Sequence, residues 1–234
     1  MPVSSKQAAY LAAMGIERWV PRAADSRPPE AGESPSPTGV GPATTTAVAD
    51  MDWETLRQQV MSCTQCPLHE TRTQAVFGVG HPQAELLIIG EAPGADEDRQ
   101  GEPFVGRAGQ LLNEMLRAIG LSRDAVYIAN ILKCRPPNNR DPKPEEAAAC
   151  VAYLYRQIAL IQPKLILALG RIAAQRLLHT ETPLGRLRQQ QHVLAQTQTP
   201  LIVTYHPAYL LRSPLDKRKA WQDLLFVQKT IESN

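Results

Sequence analysis

The chain contains four cysteines, Cys63, Cys66, Cys134 and Cys150, and no others. Cys63 and Cys66 stand at chelate spacing with two residues between them, whereas Cys134 and Cys150 have fifteen between them. A zinc knuckle calls for two close pairs; an iron–sulfur cluster accepts four thiolates from more scattered positions. Spacing alone leaves iron, zinc and buried free thiols open, and a set of four with none spare favours a shared metal site. A second chemistry-bearing stretch is Gly90–Leu112, GEAPGADEDRQGEPFVGRAGQLL, with five glycines, five acids, two prolines and Phe104. Glycines at a strand-to-helix turn let the backbone approach a ligand closely. The acids oppose a phosphate ligand, so the loop suits a different occupant.

Three shorter segments carry polar groups of the same kind. Tyr127–Cys134 places Asn130 at the end of an apolar run, Ala168–Arg171 reads as a strand-to-helix turn, and Thr204–Arg212 places His206 just beyond another apolar run. Taken singly each is weak: an asparagine at a strand end is more often a turn former, and a histidine before proline is more often a loop residue.

The elements that must position these groups follow from periodicity. Apolar runs at Leu86–Ile89, Val126–Asn130, Leu165–Leu169 and Leu201–Thr204 read as buried strands. Helical patterns lie at Asp52–Met61, Ala108–Ile119, Pro144–Ile161, Arg171–Leu178 and Pro214–Ile231. The last has Ser213 as an N-cap candidate, Pro214 at the first position and Asp216 at the third. Short apolar strands alternating with helices imply an α/β fold: three layers, α/β/α, around a central, mostly parallel four-stranded sheet. The acid-rich loop then sits at a strand's carboxyl end, where such sheets place their ligands.

Residues 1–50 differ. Ser4 to Val20 reads as a short amphipathic helix, so 1–20 is expected to be an N-terminal extension, loosely docked or holding a protein partner. Residues 21–50, rich in Pro, Ala, Ser, Thr and Gly, read as a flexible linker, leaving 51–234 as the functional domain. The chain of 234 residues carries a formal charge of +2, but its halves differ: 1–120 is −6 and 121–234 is +8. A basic half suits a phosphate-rich partner, though solvated helix faces account for it equally well. No run approaches the about 20 apolar residues of a membrane span, and the N-terminus lacks a secretory layout. A cytoplasmic protein without membrane contact or disulfides is expected.

In this order and with these cysteines, the segments GEAPG, GEPFVGRAGQLL, ANILKCRPPNNRDP and YHPAYLLR resemble the family 4, iron–sulfur uracil-DNA glycosylases over about residues 52–230. The resemblance implies hydrolysis of the bond between uracil N1 and deoxyribose C1′ in single- or double-stranded DNA, leaving an abasic site for base-excision repair by a nucleoid-associated monomer. It implies one [4Fe–4S] cluster on Cys63, Cys66, Cys134 and Cys150, and no nucleotide cofactor. Phe104 would stack the flipped base, Asn130 would read it, and His206 would donate to uracil O2, where charge develops. Asn130 separates uracil from cytosine only if its amide is held in one orientation. Glu97 matches the position that crowds uracil C5 against thymine's methyl. Ala92 stands where better-known uracil glycosylases carry a water-positioning aspartate, so Glu91 is left to place the water or support the loop. Asp96 and Asp98 read as solvated or loop-capping.

For DNA, the same resemblance offers Tyr209, Leu210, Leu211 and Arg212 as the penetrating loop, with Arg135, Arg140, Lys143, Arg171, Arg186 and Arg188 as phosphate contacts. Relatives often carry glycine where this chain has Gln189; if that position is left-handed, the substitution costs about 1 kcal/mol. Two other outcomes fit parts of the sequence. A covalent uracil-DNA trap would need a histidine, and Pro136–Pro144 has none. An iron–sulfur nucleic-acid-binding or redox-sensing module would follow if Ala92 marked a lost water site.

Overall fold

The computed structural model describes residues 48–233; the expected helix of 4–20 and nearly all of the expected linker lie outside that range. The sheet contains β1 (Val79–Gly80), β2 (Leu86–Gly90), β3 (Tyr127–Asn130), β4 (Leu165–Leu169), β5 (His192–Leu194) and β6 (Thr199–Thr204). Their spatial order is β1-β3-β2-β4-β6-β5. The four inner strands are parallel, as the sequence pattern implies. The expected four-stranded sheet is nevertheless too small: β1 and β5 add antiparallel edges to β3 and β6. Both edges are short and partly exposed, so neither produces the continuous apolar run of a doubly covered strand.

Helices cover both faces. Alternate side chains divide each strand between two cores. Leu87, Ile89, Ala129, Ile166, Ala168, Leu201 and Val203 pack against α1 (Trp53–Met61), α4 (Pro144–Ile161) and α5 (Arg171–Leu177). Leu86, Ile88, Ile128, Leu167 and Ile202 pack against α3 (Arg107–Ala118), α7 (Pro207–Arg212) and α8 (Lys217–Ser233). Two smaller helices, α2 (Ala95–Gln100) and α6 (Leu184–Leu187), lie within connections. The chain leaves β2 to build one helical layer on its way to β3, and leaves β3 to build the other on its way to β4. That reversal opens a crevice at the carboxyl ends of β2 and β3.

Local chemistry sets the element ends. Asp52 Oδ1 accepts from Thr55 N at 2.8 Å and starts α1. Pro144 occupies the first turn of α4, and Glu146 Oε2 accepts from Lys143 N at 2.9 Å. The Ser213–Pro214 start signal yields a 3-10 turn over Pro214–Asp216, and α8 begins only at Lys217. Ser213 makes no side-chain cap bond.

A buried ionic knot ties α8 to β6. Asp223 is fully buried; it accepts from Arg188 Nε at 2.7 Å, Arg188 Nη2 at 2.9 Å, Gln189 Nε2 at 2.6 Å and Thr204 Oγ1 at 2.7 Å. Arg188 is therefore an internal clasp, not the expected phosphate contact; its guanidinium also lies 4.5 Å over the Tyr205 ring. Gln189 is left-handed, with φ of 60°, and its amide on Asp223 offsets the cost of that conformation. Breaking a buried pair leaves the remaining charge uncompensated, so Arg188→Leu is expected to lower the unfolding free energy by about 3–5 kcal/mol, read from urea denaturation.

Candidate active site and cysteine cavity

A cleft of about 430 Å³ opens at the carboxyl ends of the inner strands. Its lining includes Glu91, Ala92, Glu97, Phe104, Asn130 and His206, which the structure brings together from segments far apart in sequence. Tyr209 and Arg212 line it as well, together with Asn139, Arg140 and Asp141, of which sequence reasoning had singled out only Arg140.

The parallel ladder pairs Gly90 with Asn130, so the two strand ends stand side by side. A methyl on Gly90 would come within 2.3 Å of Asn130 Oδ1 and 2.7 Å of Phe104 Cζ. Only glycine leaves room for both groups to face the cleft. Beyond the strands, Ile131 N and Leu132 N continue the pairing onto Gly90 O and Glu91 O at 3.0 and 3.1 Å. Asn130 is 2 % exposed, and its buried Oδ1 has no donor among the described residues. An orphaned buried acceptor is costly, and here it faces a cleft from which a ligand N–H can satisfy it.

Phe104 is held in the left-handed region, φ 54°. Arg123 Nη2 donates to Pro103 O at 2.5 Å, and Arg123 Nη1 donates to Phe104 O at 3.3 Å. Gly109 is pressed so closely on Phe104 O that a methyl there would lie 1.7 Å from it. Arg123 thus positions the aromatic ring, a role that its sequence context does not signal. Glu97 is pinned by three amides: Gly94 N at 3.1 Å, Val105 N at 3.0 Å and Gly106 N at 3.1 Å. Its carboxylate lines the cleft and cannot swing aside without releasing both ends of the loop. Asp98 is buried and caps the loop through Thr73 N at 2.9 and 3.1 Å; the solvated reading does not hold for it. Asp96 is the partly exposed partner of Arg99, at 2.6 Å.

His206 caps α7, its Nδ1 accepting from Ala208 N at 3.1 Å. A nitrogen that accepts carries no proton, so in the neutral ring the proton lies on Nε2 and is available for donation. Burial, with Arg212 nearby, pushes the imidazole pKa down to about 4, so the ring is neutral at physiological pH. Its ring stands 5.5 Å from that of Phe104.

The Glu91 carboxyl accepts no hydrogen bond among the described residues. Burial, reinforced by Asp141, raises its pKa to about 7, with Arg171 opposing. Arg171 itself reaches Asp141 at 3.3 Å. Besides Glu97, the carboxylates lining the cleft are Glu91 and Asp141.

The helix after His206 does not form the expected apolar wedge. Leu210 is 1 % exposed and belongs to the core, Leu211 is half-buried, and Tyr209 stacks on Tyr205 while its hydroxyl donates to Asp216 at 2.5 Å. The exposed apolar tip is Leu215, 93 % accessible on the following turn. Among the basic candidates, Arg140 is tied bidentately to Glu146 and Arg135 donates to Asn139. Lys143, Arg171, Arg186 and Arg212 are exposed.

The four cysteines line a single small cavity together with Arg72, Lys133 and Tyr153. Arg72 Nη1 donates to Cys134 Sγ at 2.9 Å, and Lys133 N to Cys150 Sγ at 3.3 Å. Such donors suit thiolates, whereas burial of the free thiols pushes Cys66 and Cys134 up and Cys150 up to about 12. Among the described residues no three metal-ligating side chains converge on a single-ion position.

Glu91 offers a test that is independent of ligand. Its folded pKa of about 7 exceeds the ordinary 4.5, so the folded state loses stability as pH rises from 4.5 through 7. Glu91→Gln is expected to raise Tm over the parent at pH 8, with the difference vanishing below pH 4.5, as scanning calorimetry at the two pH values would show.

Comparison with known proteins identifies the family of the chain. Residues 77–225 match the family model described as the uracil DNA glycosylase superfamily. The type-4 uracil-DNA glycosylase of Archaeoglobus fulgidus is 50% identical over 67% of this chain and 82% of its own length. That of Thermotoga maritima is 44% identical over 68% and 83%. The type-5 enzyme of Thermus thermophilus is more distant, at 33% identity over 55% and 73%. The chain belongs to the uracil-DNA glycosylase superfamily, and within it to the type-4 group.

Proposed function

We propose that this protein is a uracil-DNA glycosylase of DNA repair, hydrolysing the N-glycosidic bond of uracil in DNA. The observation that carries the reading is the orphaned Asn130 Oδ1 in a cleft floored by Phe104 and flanked by His206. Uracil supplies what that arrangement lacks: N3–H for Oδ1, O4 for the Asn130 amide and a flat face for the ring. Cytosine has an acceptor at N3, opposite Oδ1, and leaves the buried oxygen unpaired. Glu97, fixed by three amides, stands as a rigid wall against a methyl at C5.

Bond cleavage sends electrons to uracil N1 and O2 and leaves oxocarbenium character on the sugar. His206 Nε2–H donates to O2 as the charge grows; a neutral donor stabilises the anion without giving up its proton. Glu91, ionised above pH 7, holds the attacking water and takes its proton as the oxygen joins C1′. The uracil anion is then protonated by solvent.

The cysteine cavity is read as the site of one [4Fe–4S] cluster. Four thiols round one cavity and donors on two of the sulfurs support a polynuclear group. When bound, the cluster would supply a cross-link between the segment after α1, the segment after β3 and α4; the hydrolysis needs no electron from it. DNA, single- or double-stranded, would lie along the cleft mouth. Lys143, Arg171, Arg186 and Arg212 would meet phosphates there, and Leu215, the exposed apolar tip, would fill the gap left by the flipped base.

Uracil-containing oligonucleotides cleaved with alkali after incubation test the activity. His206→Ala is expected to lower kcat by about 10²–10³-fold, and an Asn130→Ala, His206→Ala double variant that matched the parent would refute the reading. The acid limb of kcat is expected near pH 7, from Glu91, with no limb from His206 above pH 5. Glu91→Gln should remove that limb, and its persistence would exclude Glu91 as the water's base. Iron and sulfide near four per chain test the cluster, and stoichiometric zinc in their place would overturn it while leaving the glycosylase activity standing.

A further inference from the structure

Lys133 is 1 % exposed and lies between the cysteine cavity and the base pocket. Its Nζ stands 2.6 Å from Gln157 Oε1, 3.0 Å from Asn130 O and 3.2 Å from Phe77 O. Three acceptors match the three N–H groups of an ammonium, whereas a neutral amine offers two. All three acceptors are neutral, and Lys133 makes no ion pair among the described residues. A buried cation held by dipoles alone is costly unless an anion lies close by.

The neighbouring groups that qualify are the sulfurs. The backbone N–H of Lys133 donates to Cys150 Sγ at 3.3 Å, and Cys134 is the next residue. Four thiolates around a [4Fe–4S] core carry net negative charge, which supplies the missing counter-ion. On its other side the same ammonium grips the carbonyl of Asn130, the residue whose side chain faces the base. That side chain has no hydrogen-bonding neighbour to fix it among the described residues, so its orientation depends on its backbone and on packing against Gly90.

We propose that Lys133 is a positioning residue that couples the cysteine-bound cluster to the uracil reader, balancing the cluster's charge with its ammonium while pinning the Asn130 carbonyl. The inference rests on the cluster assignment above. Its two arms are separable, because the charge acts on the cluster and the hydrogen bond acts on Asn130.

The test uses the iron-loaded full chain with Lys133→Met, which keeps the apolar stem, and Lys133→Arg, which keeps the charge but not the three-way grip. Three quantities are read: the cluster's midpoint potential, equilibrium binding of free uracil, and binding of abasic-site DNA. Lys133→Met is expected to shift the potential to more negative values and weaken uracil about tenfold, the loss of one charged hydrogen bond, with abasic-DNA affinity within about twofold of the parent. Lys133→Arg is expected to keep the parent potential while still weakening uracil. A purely structural role would weaken DNA and uracil together. Iron-loaded Lys133→Met with parental potential and parental uracil affinity would overturn the proposal. If that variant does not fold, Lys133→Arg decides it: a shifted potential with unchanged uracil affinity overturns it equally. Parent protein without iron would remove the cluster assignment itself, a failure visible before any variant is made.

Discussion

The register of β2 against β3 is the constraint on which the rest depends. Parallel pairing sets Gly90 directly beside Asn130, and the missing side chain at 90 is the space in which the asparagine oxygen and the Phe104 ring meet. A shift of one residue would turn Asn130 to the opposite face of the sheet and place Ile89 beside it. The hydrophobic alternation that fills both cores also holds this register, so packing energy far from the cleft fixes the position of one polar atom in it.

Around that point the polar groups are held by backbone rather than by one another. Glu97 is fastened by three amides and His206 by the first turn of its own helix. Backbone partners fix orientation without adding charge to the cleft. Glu91 and Asn130 are the exceptions: neither side chain makes a hydrogen bond among the described residues, and burial with Asp141 near raises the Glu91 pKa.

The sequence made the four inner strands legible because strands buried on both faces are apolar throughout; Leu165–Leu169 matches its expected limits residue for residue. The edge strands were illegible, since Val79–Gly80 and His192–Leu194 gain strand character only from their partners. Helix α2 was missed because Ala-Asp-Glu-Asp-Arg-Gln shows no apolar face. The residues that line the cleft were legible as a set, from the order of motifs, but their restraints were not. Arg188 reads as a surface cation because its partner Asp223 is 35 residues away. Leu210 reads as exposed beside a histidine, but a six-residue helix turns it into the core. Whether Gln189 would be left-handed was a conditional matter in the sequence, and the fold resolves it by giving the amide a buried carboxylate.

In the proposed mechanism, the neutrality of His206 bears on what happens after the bond has broken. A charged imidazolium would stabilise the nascent uracil anion strongly and then retain it as an ion pair. The Ala208 amide occupies Nδ1, and burial opposes a second proton, so the histidine offers one directional hydrogen bond and no net charge. Once uracil takes a proton from solvent, little electrostatic attraction remains. The tautomer fixed by one backbone N–H thereby favours release of the free base, and the pocket is cleared for another turnover.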